Sequence, residues 1–375
     1  MRILNVNTTL DPIRGGGTAE RTYRMHRALS AAGVESRILT LDVGDLAERR
    51  AELGPSRLTT LPVWNRRYNV PRDGHNVVRA LITEADVVHL MGHWNWLNVR
   101  CAAEARRLRK PYVVCPAGEL PRFGRSRGLK KVFNIVAGRR VVQHAALHIA
   151  VTDSERAQFE PYGVARDSVV VMPNGICASA FRNHDTAAFR LRHGLGDRSF
   201  VLFMGRLNPI KGPDLLLEAF LSAADRFPDI DLVFAGPDGG LADELRRRTA
   251  EHVAGGRVRF LGYLSREEKS QAYHAAELLV VPSRSEAMSI VALEAGICGK
   301  PVLMTDRCGF DEVAEVGGGR IVRADVAGIA AGLVDLLNDR RELPNLGRRL
   351  STFVAEHYAW ARLATRYIEH YRRLA

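Results

Sequence analysis

Two carboxylates eight positions apart, Glu286 and Glu294, lie in the run Ser285-Glu286-Ala287-Met288-Ser289-Ile290-Val291-Ala292-Leu293-Glu294. An apolar strand, Leu278 to Val281, is expected before them, and an apolar helix from Ile290 onward. Eight helical residues span roughly 12 Å, which is the reach from a ribose, across a diphosphate, to an attached sugar. The pair thus offers two fixed acceptors, one near a reacting carbon and one two helical turns away. Taken alone, the same spacing describes a loop glutamate followed by a solvated helix glutamate. Ser289 is a candidate N-cap for the helix, whose first amides would then point toward the same place.

A second group is Phe203-Met204-Gly205-Arg206-Leu207-Asn208-Pro209-Ile210-Lys211-Gly212. A strand is expected to end at Gly205, with Arg206 next, Lys211 five residues on and a helix just beyond. The carboxyl end of a parallel strand is where α/β proteins hold ligands. Arginine presents a fork for two phosphate oxygens and lysine a point charge. Two cations in a loop are equally a solvated surface. A third group, Arg14-Gly15-Gly16-Gly17-Thr18, follows the first strand and precedes a helix. It reads either as amides brought to an anion at a helix N-terminus or as a flexible joint. It is neither G-x-G-x-x-G nor a Walker A motif, so a dinucleotide oxidoreductase loses its main support.

The elements that must position these groups alternate along the chain. Strands are expected at Ile3–Val6, Val34–Leu39, Val87–Leu90, Tyr112–Cys115, Leu147–Val151, Val169–Met172, Phe200–Met204, Leu232–Ala235, Val258–Leu261, Leu278–Val281 and Pro301–Met304. Amphipathic helices are expected between them. Near-continuous apolar strands alternating with helices mean parallel sheets covered on both faces. The fold class is α/β, in two doubly wound units divided near Pro173-Asn174-Gly175. A chain of 375 residues exceeds what one core usually serves. In the last helix, Trp360, Leu363, Ala364, Tyr367, Ile368, Tyr371 and Leu374 repeat at helical spacing, which suits packing back on a domain.

No apolar run reaches the 18 or so residues needed to cross a bilayer, and Met1–Asn7 reads as a first strand, so a cytoplasmic location is expected. The five cysteines contain no C-x-x-C pair and read as small core residues of a reducing compartment. The net charge of +12 is unevenly placed. Residues 1–175 carry 27 basic against 16 acidic side chains, and residues 176–375 carry 27 against 26. The densest basic run is Arg122, Arg125, Arg127, Lys130, Lys131, Arg139 and Arg140, with no acid among them. A possible anionic membrane surface is the partner this clustering suggests, against a merely solvated face. No nucleic acid is expected: there is no zinc-finger, RRM or KH signature, and one aromatic, Phe133, in the run.

Together these motifs resemble the retaining glycosyltransferases of family 4 (GT4), which have the GT-B fold of two Rossmann-like parallel-sheet domains facing a cleft. The resemblance covers nearly the whole chain. It rests on G-R-L-x-x-x-K-G at 205–212, P-N-G at 173–175, A-G-P-D-G at 235–239, F-L-G-Y-L at 260–264, P-S-x-S-E-x-M-S at 282–289 and L-E-A-x-x-x-G-x-P-V at 293–302. It implies an acceptor-side domain of residues 1–175 joined by the returning helix 357–375, and a donor-binding domain of residues 176–356. It implies that Arg206 and Lys211, following Gly205, bind the diphosphate of a nucleotide sugar, a UDP- or GDP-sugar. Glu286 with Ala287, Met288 and Ser289 would hold the donor sugar, and Glu294 the ribose. Tyr263 and Leu264 would lie beside the base, and Gly15, Gly16 and Gly17 near the diphosphate. No cofactor and no metal are implied. Asp229-Ile230-Asp231, the one D-x-D, precedes a strand at the wrong sheet end and reads as a loop.

Two departures concern the acceptor side. His89 reads as a core histidine, and His93, further out, as the acceptor-side catalytic candidate. Relatives often carry a basic residue where this chain has Ala117, in Cys115-Pro116-Ala117-Gly118-Glu119, so Glu119 or His93 is expected to replace it. The acceptor implied is a lipid-linked glycan, lipopolysaccharide or exopolysaccharide precursor, with the enzyme peripheral on the inner leaflet. A soluble small-molecule acceptor is the alternative, and a non-catalytic nucleotide-sugar-binding scaffold a remote one.

Overall fold

The computed structural model describes residues 1–65, 69–121, 127–182 and 184–375, without the side chain of Arg127. The chain forms two compact units, one of Met1–Gly175 with Trp360–Ala375 and one of Ile176–Ala359. The returning segment begins at Trp360 and not at 357. The preceding helix, Leu343–His357, runs on to His357, and Tyr358 accepts from the amide of Ile176 at 2.7 Å, which keeps 357–359 with the second unit.

Among the described residues, the first unit has strands β1 (Arg2–Val6), β2 (Glu35–Leu41), β3 (Leu58–Leu61), β4 (Val63–Asn65), β5 (Val70–Pro71), β6 (Val87–Met91), β7 (Tyr112–Cys115), β8 (Leu147–Ala150) and β9 (Val169–Val171). Seven of them form a parallel sheet of order β3-β2-β1-β6-β7-β8-β9, while β4 and β5 make a separate hairpin. The second unit holds β10 (Ser199–Met204), β11 (Ile230–Ala235), β12 (Val258–Gly262), β13 (Leu278–Val281), β14 (Val302–Thr305) and β15 (Gly319–Val322). Their order is β12-β11-β10-β13-β14-β15, again all parallel. In each sheet the winding direction reverses once, between β1 and β6 in the first and between β10 and β13 in the second. Such a switch point opens a crevice outside the carboxyl ends of the two strands.

Central strands are buried on both faces. Phe200 to Met204 and Ile230 to Ala235 are buried throughout, which is why they read as unbroken apolar runs. The edge strands β3 and β15 carry polar residues and were not expected. All five cysteines are free thiols and four of them are buried. Among the described residues no helix is long and apolar enough to cross a membrane.

The last helix, Trp360–Arg372, packs on the helix Gly16–Ala31 of the first unit, burying the apolar stripe expected of it. At their contact Arg21 is 2 % exposed. Its Nη1 donates to Asn174 Oδ1 at 2.7 Å, and its Nη2 to the carbonyl of Met172 and the hydroxyl of Tyr367, each at 2.6 Å. The hydroxyl of Tyr371 bonds His89 Nδ1 at 2.5 Å, so His89 is the core residue its sequence context suggests.

Candidate functional site

In the second unit the switch point brings two of the sequence-read groups together. β10 ends at Met204 and hands over to Gly205 and Arg206. β13 ends at Val281 and hands over to Pro282, Ser283 and the Glu286 turn. Lys211 Nζ lies 2.8 Å from Glu286 Oε1. The Glu286 side chain is 7 % exposed and that of Lys211 35 %, so the pair stands at the edge of solvent. Ser283 Oγ donates to the same carboxylate oxygen, and the Glu286 amide is fixed by the carbonyl of Arg307 at 2.8 Å.

The backbone explains why Lys211 arrives there. Gly212 has φ +66°, and a Cβ at that position would stand 2.1 Å from the carbonyl oxygen of Pro282. Only glycine lets the two loops approach this closely. Asn208 Oδ1 accepts from the Lys211 amide at 3.0 Å and closes the turn. Arg284 forks onto Asp214 at 2.8 and 2.6 Å and donates to the carbonyl of Pro209 at 2.6 Å, lacing the β13 loop to the β10 loop. Arg206 is half-buried, its stem lying over Gly239, where a Cβ would come within 2.7 Å of Arg206 Cγ.

Glu294 sits in the helix Ile290–Ile297 and is 5 % exposed. Lys269 Nζ donates to its Oε1 at 2.9 Å and lies 2.8 Å from Oε2. The buried Tyr273 hydroxyl donates to Oε2 at 2.6 Å, and burial, then the Glu294 charge, holds this phenol far above its ordinary range. Lys269 and Tyr273 escaped the sequence reading, although their i, i+4 spacing puts them on one face of the helix Arg266–Ala275. Ser289 occupies the N-cap position of the Glu294 helix, but its hydroxyl makes no capping bond and is buried without a hydrogen-bond partner. Ala287 is half-buried and Met288 buried. Tyr263 is half exposed, and Leu264 is buried, so contact with a ligand at 264 would fall to its backbone. Asp229 and Asp231 are each held by an arginine, Arg340 and Arg198, at 2.6 and 2.7 Å. Asp231 lies inside β11 and not in a loop.

In the first unit the switch point is flanked by the glycine run after β1 and by His93 after β6. The helix begins at Gly16, so Gly16 and Gly17 are its first turn and not a preceding loop. Asp11 builds the approach: its Oδ1 accepts from the amides of Ile13 and Arg14, and its Oδ2 from Asp45. The amides of the first turn have no intrahelical acceptor and lie at the positive end of the helix dipole.

His93, expected further out than His89, is buried as well. It is 3 % exposed, ringed by Trp94, Phe133 and Tyr162, and its Nε2 meets Asn134 Oδ1 at 2.9 Å. Glu119 does not stand free to replace a basic residue either. Its Oε2 accepts from the His93 amide at 2.7 Å, and burial pushes its carboxyl up. Ala117 itself has φ +50°, a left-handed conformation that costs an alanine about 1–2 kcal/mol. Gly118 beside it donates its amide to the buried Glu155 at 2.5 Å. Of the basic run, Arg122 and Arg125 and the side chain of Arg127 lie outside the described residues. The remaining members belong to one continuous helix over 127–143, whose middle turn, Asn134–Gly138, is a π-helix.

The buried imidazoles give a pH prediction. Burial lowers His93 and His26 to about 4 and His89 to about 3, from 6.5. The unfolded chain takes up these protons near pH 6.5, whereas the folded unit resists them down to about pH 4. The unfolded state thus binds more protons in that window, and stability falls as pH falls through it. Calorimetry of the whole chain should show the melting temperature declining steadily from pH 6.5 to 4; a flat profile there would overturn this account.

Comparison with known proteins places both units. Residues 185–351 match the family described as glycosyl transferases group 1, and residues 15–179 match glycosyltransferase family 4. A D-inositol 3-phosphate glycosyltransferase of Nocardia farcinica is 35% identical over 63% of this chain and 54% of its own length. One of Frankia alni is 30% identical over 95% of this chain and 94% of its own. The chain thus spans about half the length of the first relative and nearly all of the second. Among solved structures, Anabaena Alr3699/HepE in complex with UDP-glucose superposes with a TM-score of 0.81 at 19% identity over 100% of both chains. WaaG, a glycosyltransferase involved in lipopolysaccharide biosynthesis, gives 0.69 at 18% identity over 97% and 98%.

Proposed function

The chain belongs to glycosyltransferase family 4, and we propose that it moves a hexosyl group from a UDP- or GDP-sugar to a hydroxyl of a small soluble acceptor, a phosphorylated cyclitol or sugar. The observation that carries the donor half is the Lys211–Glu286 pair at the switch point of the second sheet, 2.8 Å apart, with Arg206 leaving the same strand end. Breaking a sugar–phosphate bond puts negative charge on the leaving diphosphate and positive charge on the anomeric carbon. Arg206 and Lys211 are the cations assigned to the first, preorganised where charge develops. Glu286 and the amides of Ala287, Met288 and Ser289 hold the sugar hydroxyls. Glu294, steadied by Lys269 and Tyr273, keeps a lone pair for a ribose hydroxyl. The first-turn amides at Gly16 and Gly17 meet an anionic group of a substrate.

Glu286 is engaged by Lys211 and Ser283 and is not placed here as a nucleophile. Attack on the face the diphosphate leaves, with the phosphate taking the acceptor's proton, then retains configuration. No metal is part of this proposal, since two side-chain cations supply the positive charge. Buried His93, its Nε2 engaged by Asn134, is given no chemical role in this proposal.

The acceptor proposed is the soluble small molecule that stood as the alternative to a lipid-linked glycan. The relatives are named for D-inositol 3-phosphate, and the +11 excess of residues 1–175 suits a small anionic acceptor as well as an anionic surface. A lipid-carried acceptor stays as the second reading because the helix over 127–143 exposes Leu129, Val132, Ile135 and Val136. Incubation with a panel of UDP-, GDP-, TDP- and ADP-sugars, first alone and then with inositol phosphates, free inositol and lipid-linked glycans, tests both halves. A UDP- or GDP-sugar should be hydrolysed slowly alone and transferred fastest to a phosphorylated cyclitol. Inertness toward every donor would remove the donor half, and transfer only to the lipid-carried acceptors would remove the acceptor half.

A further inference from the structure

One carboxylate ties the turn after β6 to the turn after β7. Glu119 is half-buried. Its Oε2 accepts from the amide of His93 at 2.7 Å, and its own carbonyl accepts from the Trp94 indole. Gly92, with φ +77°, makes the seat, since a Cβ there would come within 3.0 Å of Oε2. The β6 turn is fixed in its own right. Asn98 Nδ2 donates to the carbonyls of Met91 and Gly92 at 2.9 and 3.0 Å, and Asn95 caps the helix that follows. Among the described residues Oε1 of Glu119 accepts no hydrogen bond and is not sealed from solvent.

Packing alone does not account for this group. A glutamine would serve the His93 amide as well, without the cost of a charge whose carboxyl burial pushes up. One oxygen is held rigidly and the other is unspent. They stand beyond the carboxyl end of β6, a strand flanking the first sheet's switch point, where such sheets hold ligands. Beside them is an aromatic cluster: the Phe133 ring lies 5.7 Å from that of Trp94 and 5.3 Å from that of Trp96, which is 37 % exposed. A carboxylate next to indole rings suits a polyhydroxylated ring, which offers C–H faces to the one and hydroxyls to the other.

We propose that Glu119 is a specificity-determining residue for the acceptor, its Oε1 receiving one ring hydroxyl of the cyclitol or sugar. This rests on the soluble, phosphorylated acceptor of the preceding section. An ionised carboxylate only accepts hydrogen bonds, so its partner is a donor. The +11 excess of residues 1–175 disfavours an ammonium, which leaves a hydroxyl. The same charge repels the acceptor's own phosphate. Glu119 thus selects one hydroxyl and one orientation of the ring.

Calorimetric titration of the full chain tests this, with UDP or GDP present and no sugar donor. The probes are the myo-inositol monophosphates and the mono-deoxy analogues of the one that binds best. One deoxy analogue should bind the wild type about ten- to a hundred-fold more weakly than its parent, the range for a charge-assisted contact. Glu119→Met should bind the parent more weakly by a similar factor and should not distinguish that analogue from it. A carboxylate that only ties two turns together would, when replaced, weaken every compound alike and leave the discrimination intact; that result overturns the proposal. So does a wild type that binds none of the monophosphates or discriminates no analogue. If Glu119→Met does not fold, Glu119→Gln keeps an oxygen for the His93 amide and should show the same loss of discrimination, and discrimination retained by it overturns the proposal. No donor is turned over in this titration. A wild type that hydrolyses a nucleotide sugar, or transfers its sugar to the cyclitol, yet shows no such dependence on Glu119 keeps the transferase reading and loses this one.

Discussion

Lys211→Ala is expected to lower kcat/KM for the sugar donor about ten- to a hundred-fold, and Arg206→Ala to do the same. Each removes one charge-assisted contact to the leaving diphosphate, worth roughly 1.5–3 kcal/mol, and about 1.4 kcal/mol is a factor of ten. If both side chains reach the same diphosphate their losses will not simply add. The double variant should still fall below either single one. Donor hydrolysis without acceptor should fall in step, because the cations act on the bond that breaks in both reactions. Lys211→Ala has a second effect: it leaves a carboxylate 7 % exposed with Ser283 but no cation, and an uncompensated charge there costs stability. The kinetic loss must therefore be read well below the variant's melting temperature. Lys211→Arg keeps the charge and separates the two effects. Near-wild-type transfer by the double variant would remove these residues from the chemistry.

The central strands and the two parallel units were legible because central parallel strands must be apolar on both faces, as Phe200–Met204 and Leu278–Val281 are; the order of the strands and the two switch points are set by long-range pairing that no local run encodes. The edge strands β3, Leu58-Thr59-Thr60-Leu61, and β15, Gly319-Arg320-Ile321-Val322, were not legible. An edge strand is half solvated and needs no unbroken apolar run. The glycine run was placed one step early for a related reason. Gly16 and Gly17 have poor helix propensity, yet the helix begins at Gly16, because the Asp11 carboxylate fixes the turn leading into it.

Residue types at the site were legible and partners were not. Glu286 and Glu294 stand eight positions apart, but they are held by Lys211, 75 positions earlier, and by Lys269 and Tyr273 on another helix. Their common sequence neighbourhood hides two separate ion pairs. His93 shows the opposite failure. Its place beyond the end of a strand read as further out than His89, whereas Phe133, Asn134 and Tyr162, far along the chain, close over it. Nothing local to residue 93 marks that enclosure. The exposed aliphatics of the 127–143 helix escaped attention because their spacing is that of a buried stripe; only the fold shows which way the stripe faces.

Arg21→Met is expected to cost about 3–5 kcal/mol, the range for removing one partner from a buried charged network. In a unit of this size about 2–4 °C of melting temperature goes with each kcal/mol, so the first unit should melt about 6–20 °C lower. The loss does not come from the guanidinium alone. Its two terminal nitrogens serve Asn174, Met172 and Tyr367 at 2.6–2.7 Å, and methionine fills the stem's volume while leaving those acceptors dry. A lysine cannot restore them, since a single ammonium has no fork to span the three. Because Tyr367 belongs to the returning helix, the same substitution should speed amide hydrogen exchange over Trp360–Arg372 before the rest of the unit. Triple replacement, Arg21→Met with Asn174→Leu and Tyr367→Phe, removes most of the unpaired groups and should recover much of the loss, as apolar replacement of a buried charged cluster often does. If Arg21→Met melts with the wild type and leaves exchange over 360–372 unchanged, the returning helix is held by its apolar stripe, and the buried arginine is not what fastens it to the first unit.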